Sequence, residues 1–409
     1  MLKKLAVASL LCWCVTTSAV VSAQEPVKRP RVFLDKNPRI VAYQLKRLSN
    51  EQLLLVQRAT DHTKYNPVFT AILARAGMSR QHRDEALAAL VTLEKSDAVE
   101  QLLVVLEEID EDDRQELRVG RELAAMLLGQ SSPVLMKKLD ALRGATDSEN
   151  ALLRATGYAG LVSAGAVDGA RTLAARGADA TLDFLSAVAL VPKTETRLAL
   201  RESVVASLSK ENSEDVRRAA VKAFAHVPGG YAETFRLVAP LVADKKFKTD
   251  AVRTLLKVPG KHRPANVAGT LVAEIVKQAE ATPAAQRTTD EFLDAMQLAD
   301  QLFALLPVDA ARSYRTRLSA VAVRVVIIHT VEEEMRYDVP FFAVEAGRDV
   351  QIVLKNEDLM PHNLVVTVPG ALKEVALEGA TLAPEEGADG KLFVPKSDKV
   401  LFATNMVPS

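Results

Sequence analysis

Sulfur and aromatic rings are scarce in this chain. Its two cysteines are Cys12 and Cys14 and its single tryptophan is Trp13, so all three fall within the first 23 residues. Beyond that point no disulfide can form and no thiolate is available to a metal. Aromatic residues make up 5% of the chain, too few for a surface that stacks nucleobases. No charge of one sign prevails: 52 Lys and Arg balance 52 Asp and Glu, so no global field draws the chain to nucleic acid or to an anionic membrane. After residue 23 no apolar run is long enough to cross a bilayer. An enzyme finds no support, since the sequence has no HExxH pair, no glycine-rich phosphate loop and no nucleophile–base pair.

What is present starts with a leader. "MLKKLAVASLLCWCVTTSAVVSA" has a basic start at Lys3 and Lys4, an apolar centre from Leu5 and a small-residue exit at Val21-Ser22-Ala23. That is the three-part form of a signal peptide over residues 1–23, with cleavage after Ala23 and a secreted or periplasmic product. The competing reading is an uncleaved anchor over Leu5 to Ala23, which Thr17, Ser18 and Ser22 weaken. A lipoprotein fits less well, because Leu11 and Trp13 precede the two cysteines where a small residue is expected. At 409 residues and 48% apolar content, the chain is long enough for two or three domains with substantial cores.

After a linker at residues 24–37, helical spacing governs residues 38–285. "RDEALAALVTLEK" (83–95) carries a stripe of Ala86, Leu87, Leu90, Val91 and Leu93. Across "SDA" it is followed by "VEQLLVVLEEI" (99–109), whose stripe is Leu102, Leu103, Val105 and Leu106. Two helices joined this closely pack antiparallel, stripe to stripe. The motif recurs: "DVRRAAVKAFAHVPG" and "DAVRTLLKVPG" both open on an acid and close on Val-Pro-Gly, and their starts, Asp215 and Asp250, lie 35 residues apart. That is the period of a two-helix repeat, with an acid at the helix N-terminus and Pro-Gly as the stop. "ENALLRATGYAGLVSAG" (149–165) is a looser copy. These stretches resemble degenerate HEAT repeats, which implies an α-solenoid serving as a spacer or as a platform for a protein partner. The acidic "EEIDEDDRQE" (107–116) lacks EF-hand spacing and is expected to be a solvated turn. His226 is expected at a helix end, and His62, His82 and His262 also stand alone. Residues 286–320 continue helical as a connector, with Thr288-Thr289-Asp290-Glu291 placed to cap a helix beginning near Phe292.

At residue 321 the period changes. "VAVRVVIIHTV", "FFAVEAG", "DVQIVLKNED" and "HNLVVTVPG" read as short strands between turns, with Val350, Ile352 and Leu354 on one face of the third. Here "MRYDVPFFAVEAGRDVQIVLKN" followed by "NEDLMPHNLVV" resembles the cupredoxins, the blue copper proteins of azurin and auracyanin type. The resemblance runs from residue 321 to 409 and implies a Greek-key β-sandwich carrying a type 1 copper. It makes His362 the first copper ligand and Asn363 the residue tying its loop to the loop with the other ligands. It also turns the carbonyl of Pro361 toward the metal. "SDKVLFATNMV" (397–407) looks like the strand before the family's ligand loop.

Such a site needs two imidazoles, a thiolate and a weak thioether. No cysteine follows residue 14 and no histidine follows residue 362, while Met406 lies in the preceding strand. His329, in the first strand, reads as a satisfied or surface histidine. The missing Cys, His and Met are expected beyond Ser409, which makes the chain a fragment; the alternative is a copper-free sandwich in which His362 is a turn residue. The expected fold is therefore a multidomain all-α plus all-β chain, a HEAT-like α-solenoid followed by an incomplete cupredoxin sandwich. The expected function is electron transfer through copper with an unspecified redox protein partner, copper binding stably only to the complete domain. Otherwise the chain is a copper-free interaction scaffold. Neither reading involves nucleic acid or, after cleavage, a membrane span.

Overall fold

A computed structural model describes residues 28–283, 286–321, 324–331, 334, 336–339, 341–344, 347, 350–358, 360–383 and 387–408. The leader expected over residues 1–23 lies outside them. The chain is mostly helical with a small share of strand, and it divides between Ala166 and Val167 into two compact units.

The first unit contains α1 (Pro38–Lys46), α2 (Asn50–Leu55), α3 (Asn66–Ala74), α4 (Arg80–Glu94), α5 (Ala98–Glu107), α6 (Arg114–Leu128), α7 (Ser132–Met136), α8 (Leu139–Ala145) and α9 (Ala151–Ala164). Helices α4 and α5 bury most of the predicted stripes. On α4 the buried set includes Ala86, Leu87, Leu90 and Leu93, and on α5 it includes Val99, Leu102, Val105 and Leu106. Short polar side chains begin the helices: Ser49, Ser79, Asp97, Asp113 and Asn150 each accept from an amide of the first turn that the helix itself leaves unpaired.

The acidic turn has a structural task. The Glu111 carboxylate accepts from the amides of Ala151 (2.9 Å) and Leu152 (2.8 Å), the first two residues of α9. Asn150 fastens the same helix start by donating to the carbonyls of Leu106 (3.3 Å) and Ile109 (3.0 Å). The turn is therefore a negative cap on the positive end of a helix dipole. Where α9 meets α8 the backbones come very close, and a Cβ on Gly157 would lie 2.8 Å from the carbonyl oxygen of Leu142.

Arginines satisfy the opposite helix ends. Arg75 donates to the carbonyls of Leu45 (2.7 Å) and Leu48 (3.2 Å) at the end of α1. Arg83 is 2% exposed and reaches the carbonyls of Leu73 and Arg75 at the end of α3. Burial holds its guanidinium below its usual pKa, an effect that the neighbouring Glu122 opposes.

The second unit contains α10 (Val167–Ala174), α11 (Ala178–Ala187), α12 (Thr194–Leu198), α13 (Arg201–Ala206), α14 (Glu214–Phe224), α15 (Tyr231–Val238), α16 (Lys248–Leu256), α17 (Ala265–Ala281), α18 (Asp290–Phe303) and α19 (Val308–Val321). The same devices recur. Ser213 caps α14 and Thr289 caps α18, with Glu214 and Asp215, then Asp290 and Glu291, in the first turns. Arg171 donates to the Ala199 carbonyl (2.8 Å) at the end of α12 and Arg263 to the Val258 carbonyl (2.9 Å) just past α16, while Arg201 donates to the Gly230 carbonyl (3.0 Å) at the start of α15.

Strands begin at Arg324, three residues after α19 ends at Val321. β1 (Arg324–Val331) pairs antiparallel with β2 (Arg336–Tyr337) and parallel with β3 (Val350–Lys355), while β4 (Val365–Thr367) pairs antiparallel with β5 (Val400–Ala403). The core here is Val326, Ile328 and Leu364, and the predicted face of β3, Val350, Ile352 and Leu354, packs against it. Two features depart from the strand reading. Residues 341–344 of "FFAVEAG" form no strand, and a further helix, α20 (Leu372–Thr381), lies between β4 and β5.

Candidate functional site

His362 stands in the loop between β3 and β4. Its amide donates to the Val407 carbonyl (3.1 Å) and its carbonyl accepts from the Val407 amide (2.7 Å), an isolated antiparallel bridge that staples the loop to the segment after β5. Its ring Nε2 lies 2.8 Å from Oδ2 of Asp358, and the two side chains are 11% and 2% exposed. This pairing leaves Nδ1 as the ring nitrogen that Asp358 does not engage.

Asn356 organises the loop through both ends of its amide. Its Oδ1 accepts from Oγ1 of Thr330 (3.0 Å) and from the amide of Asp358 (3.1 Å). Its Nδ2 donates to the carbonyls of Met360 (2.7 Å) and Val407 (3.1 Å). One side chain thus joins β1, the His362 loop and the C-terminal segment. Thr330, itself 3% exposed, also receives the Glu357 amide at 2.8 Å.

The remaining predicted residues are placed as follows. Asn363 donates from Nδ2 to the Leu392 carbonyl (3.0 Å), tying the loop to the segment after α20, and its own carbonyl accepts from the Tyr337 hydroxyl (2.6 Å). Burial raises the pKa of that phenol, keeping it a donor. Pro361 is exposed beside His362. Met406 is half-buried and precedes Val407, the residue bridged to His362. His329 is engaged elsewhere, with Nδ1 2.7 Å from Oε1 of Glu357. Asp358, Asn356, Thr330 and Tyr337 belong to this arrangement and were not singled out by the sequence. The one available signal was the four-residue spacing of Asp358 and His362 across a turn.

A ligating histidine usually hands its other ring N–H to a carboxylate or carbonyl, and the Asp358–His362 pair has that form. The residues present therefore fit one arm of a metal site. They do not make a complete one: among the described residues no three His, Cys, Asp or Glu side chains converge. No family model and no curated protein matches the chain.

Elsewhere in the first unit, a cavity of about 590 Å³ opens between α1, α3 and the start of α6, walled by Leu45, Pro67, Thr70, Ala71, Ala74 and Val119. Among the described residues no helix is long and apolar enough to cross a membrane.

Proposed function

We propose that this chain is the scaffold and first metal arm of an exported blue-copper electron-transfer protein of the plastocyanin and azurin type. The helical region is a HEAT-like α-solenoid, and residues 321–409 belong to a Greek-key cupredoxin sandwich. One observation carries the reading. A nearly buried imidazole is held by a buried carboxylate on one ring nitrogen and stapled through its backbone to the segment after β5. His362 is the ligand, and Pro361 and Asn363 shape its loop. When bound, copper would supply one-electron exchange. The thiolate, the second imidazole and the thioether come from polypeptide outside these 409 residues, since no cysteine follows residue 14.

Translating the DNA downstream of the Ser409 codon is the first test. A Cys, a short loop, a His and a Met in that order support the proposal, and their absence overturns it. The complete polypeptide loaded with copper(II) should show the intense visible thiolate-to-copper absorption, and His362→Ala should abolish it while leaving the helical far-UV signal unchanged. The 409-residue chain alone stays colourless.

A second reading, a copper-free protein-interaction scaffold, is favoured by the cavity of about 590 Å³ in the first unit. It predicts that the complete polypeptide is also colourless.

A further inference from the structure

We propose that a cavity of about 280 Å³ in the second unit binds a phosphate dianion or a small phosphate monoester, held by Arg197, His226 and Lys257. The site is separate from the His362 loop, and it does not rest on the copper reading.

The helical repeat itself assembles the cations. His226 and Lys257 occupy equivalent places in two copies of the motif, each directly before Val-Pro-Gly and just past the ends of α14 and α16. Because α14 packs on α16, the two turns come together, and both line the cavity. Arg197, in the last turn of α12, lines the same space. Among the described residues no Asp or Glu stands in its wall. Burial first, and then the cations of Lys257 and Arg197, lower the pKa of His226, so the imidazole lies within their field.

Helix-end arginines elsewhere in this molecule direct their N–H groups at carbonyls, as Arg75, Arg83 and Arg263 do. Arg197 does not. Its Nε is buried without an acceptor, and its Nη2 has only a long contact, 3.4 Å to Oγ1 of Thr194. Lys257 likewise has no carboxylate partner among the described residues. A buried donor without an acceptor is destabilising, and a bound anion is one of the few ways to satisfy it. A tetrahedral dianion offers acceptors on several sides at once. That suits an arginine fork, an ammonium and an imidazole better than a flat monoanion does. Drug-sized ligands occupy about 300–1,000 Å³. This smaller cavity therefore takes an oxyanion bearing a few carbons, with Phe224 and Tyr231 as the apolar wall.

Isothermal titration calorimetry and thermal melts of the full 409-residue chain, in chloride at fixed ionic strength, are the test. Inorganic phosphate, glycerol 3-phosphate and acetate are the probes. Phosphate or its ester should bind with a millimolar or tighter Kd, and acetate about tenfold more weakly. Tighter binding of glycerol 3-phosphate assigns the ester, while equal or weaker binding assigns the free anion. Lys257→Gln and Arg197→Gln should each weaken binding by about tenfold or more, as loss of one charge-assisted hydrogen bond implies. Lys210→Gln removes an exposed charge outside the cavity wall and should bind as the wild type does. No heat and no rise in Tm with phosphate or its ester at about 10 mM, ten times a 1 mM Kd, overturns the proposal. So does acetate binding as tightly as phosphate, a folded Lys257→Gln that keeps wild-type affinity, or an equal loss in Lys210→Gln.

Discussion

Asn356→Ala removes four hydrogen bonds while deleting only a small polar side chain. The bonds join Thr330 Oγ1, the Asp358 amide, the Met360 carbonyl and the Val407 carbonyl, at 2.7 to 3.1 Å. Neutral hydrogen bonds contribute about 0.5–1.5 kcal/mol each. The contact with Met360 is exposed and counts at the low end, so the loop should lose about 2–3 kcal/mol of protection against local opening. At about 1.4 kcal/mol per tenfold, this corresponds to roughly 30- to 140-fold faster opening-limited exchange. Hydrogen–deuterium exchange of the His362 and Val407 amides measures the effect directly, since those two groups close the bridge. Amides between β1 and β3 serve as the internal control and should change far less. If the variant folds and the bridge amides speed up by less than about threefold, against the ~1 kcal/mol expected of even one lost bond, Asn356 is not the clamp described.

Two further perturbations probe the helical units. Gly157→Ala should lower the unfolding free energy by about 1–3 kcal/mol, because the added methyl meets the Leu142 carbonyl backbone, whereas Gly169→Ala on α10 meets nothing within 4 Å and should be neutral to stabilising by up to about 1 kcal/mol; urea melts of the two compare them. His226 has its pKa lowered by burial first and then by Lys257 and Arg197, so below its ordinary value of 6.5 the unfolded chain takes up the proton more readily. Stability should therefore fall as pH drops through that region, and His226→Gln should flatten the dependence of the urea midpoint on pH.

His226 stands at a helix end as expected, while burial and the cations of Lys257 and Arg197, both about thirty residues away in the chain, lower its pKa. Features set within a turn or two were legible: the stripes of α4 and α5, the cap at Thr289 and the alternation of β3 all follow from periods of 3.6 and 2. What escaped depends on contacts far along the chain. The parallel pairing of β1 with β3 has no local signature, and neither has the tie from Asn356 to Val407. In α20, Val375 and Gly379 are buried while Leu372 and Leu377 face solvent, so its apolar residues do not form one clean inward stripe among the strands. For the site, His362 and Asn363 stood out by type and context, whereas Asp358 read as one more turn acid. Only the fold shows that it is buried against the ring.

The guanidinium clasps make the ends of neighbouring helices interdependent. The carbonyl terminus of α1 is completed by Arg75, that of α3 by Arg83 from α4, and that of α16 by Arg263, which donates to the Val258 and Leu256 carbonyls. Cutting the polypeptide after α1 or α3 would strip the last remaining helix of its donor and leave buried acceptors bare. Domain boundaries chosen for excising any part of the helical region should therefore retain the clasping arginine together with the helix it closes.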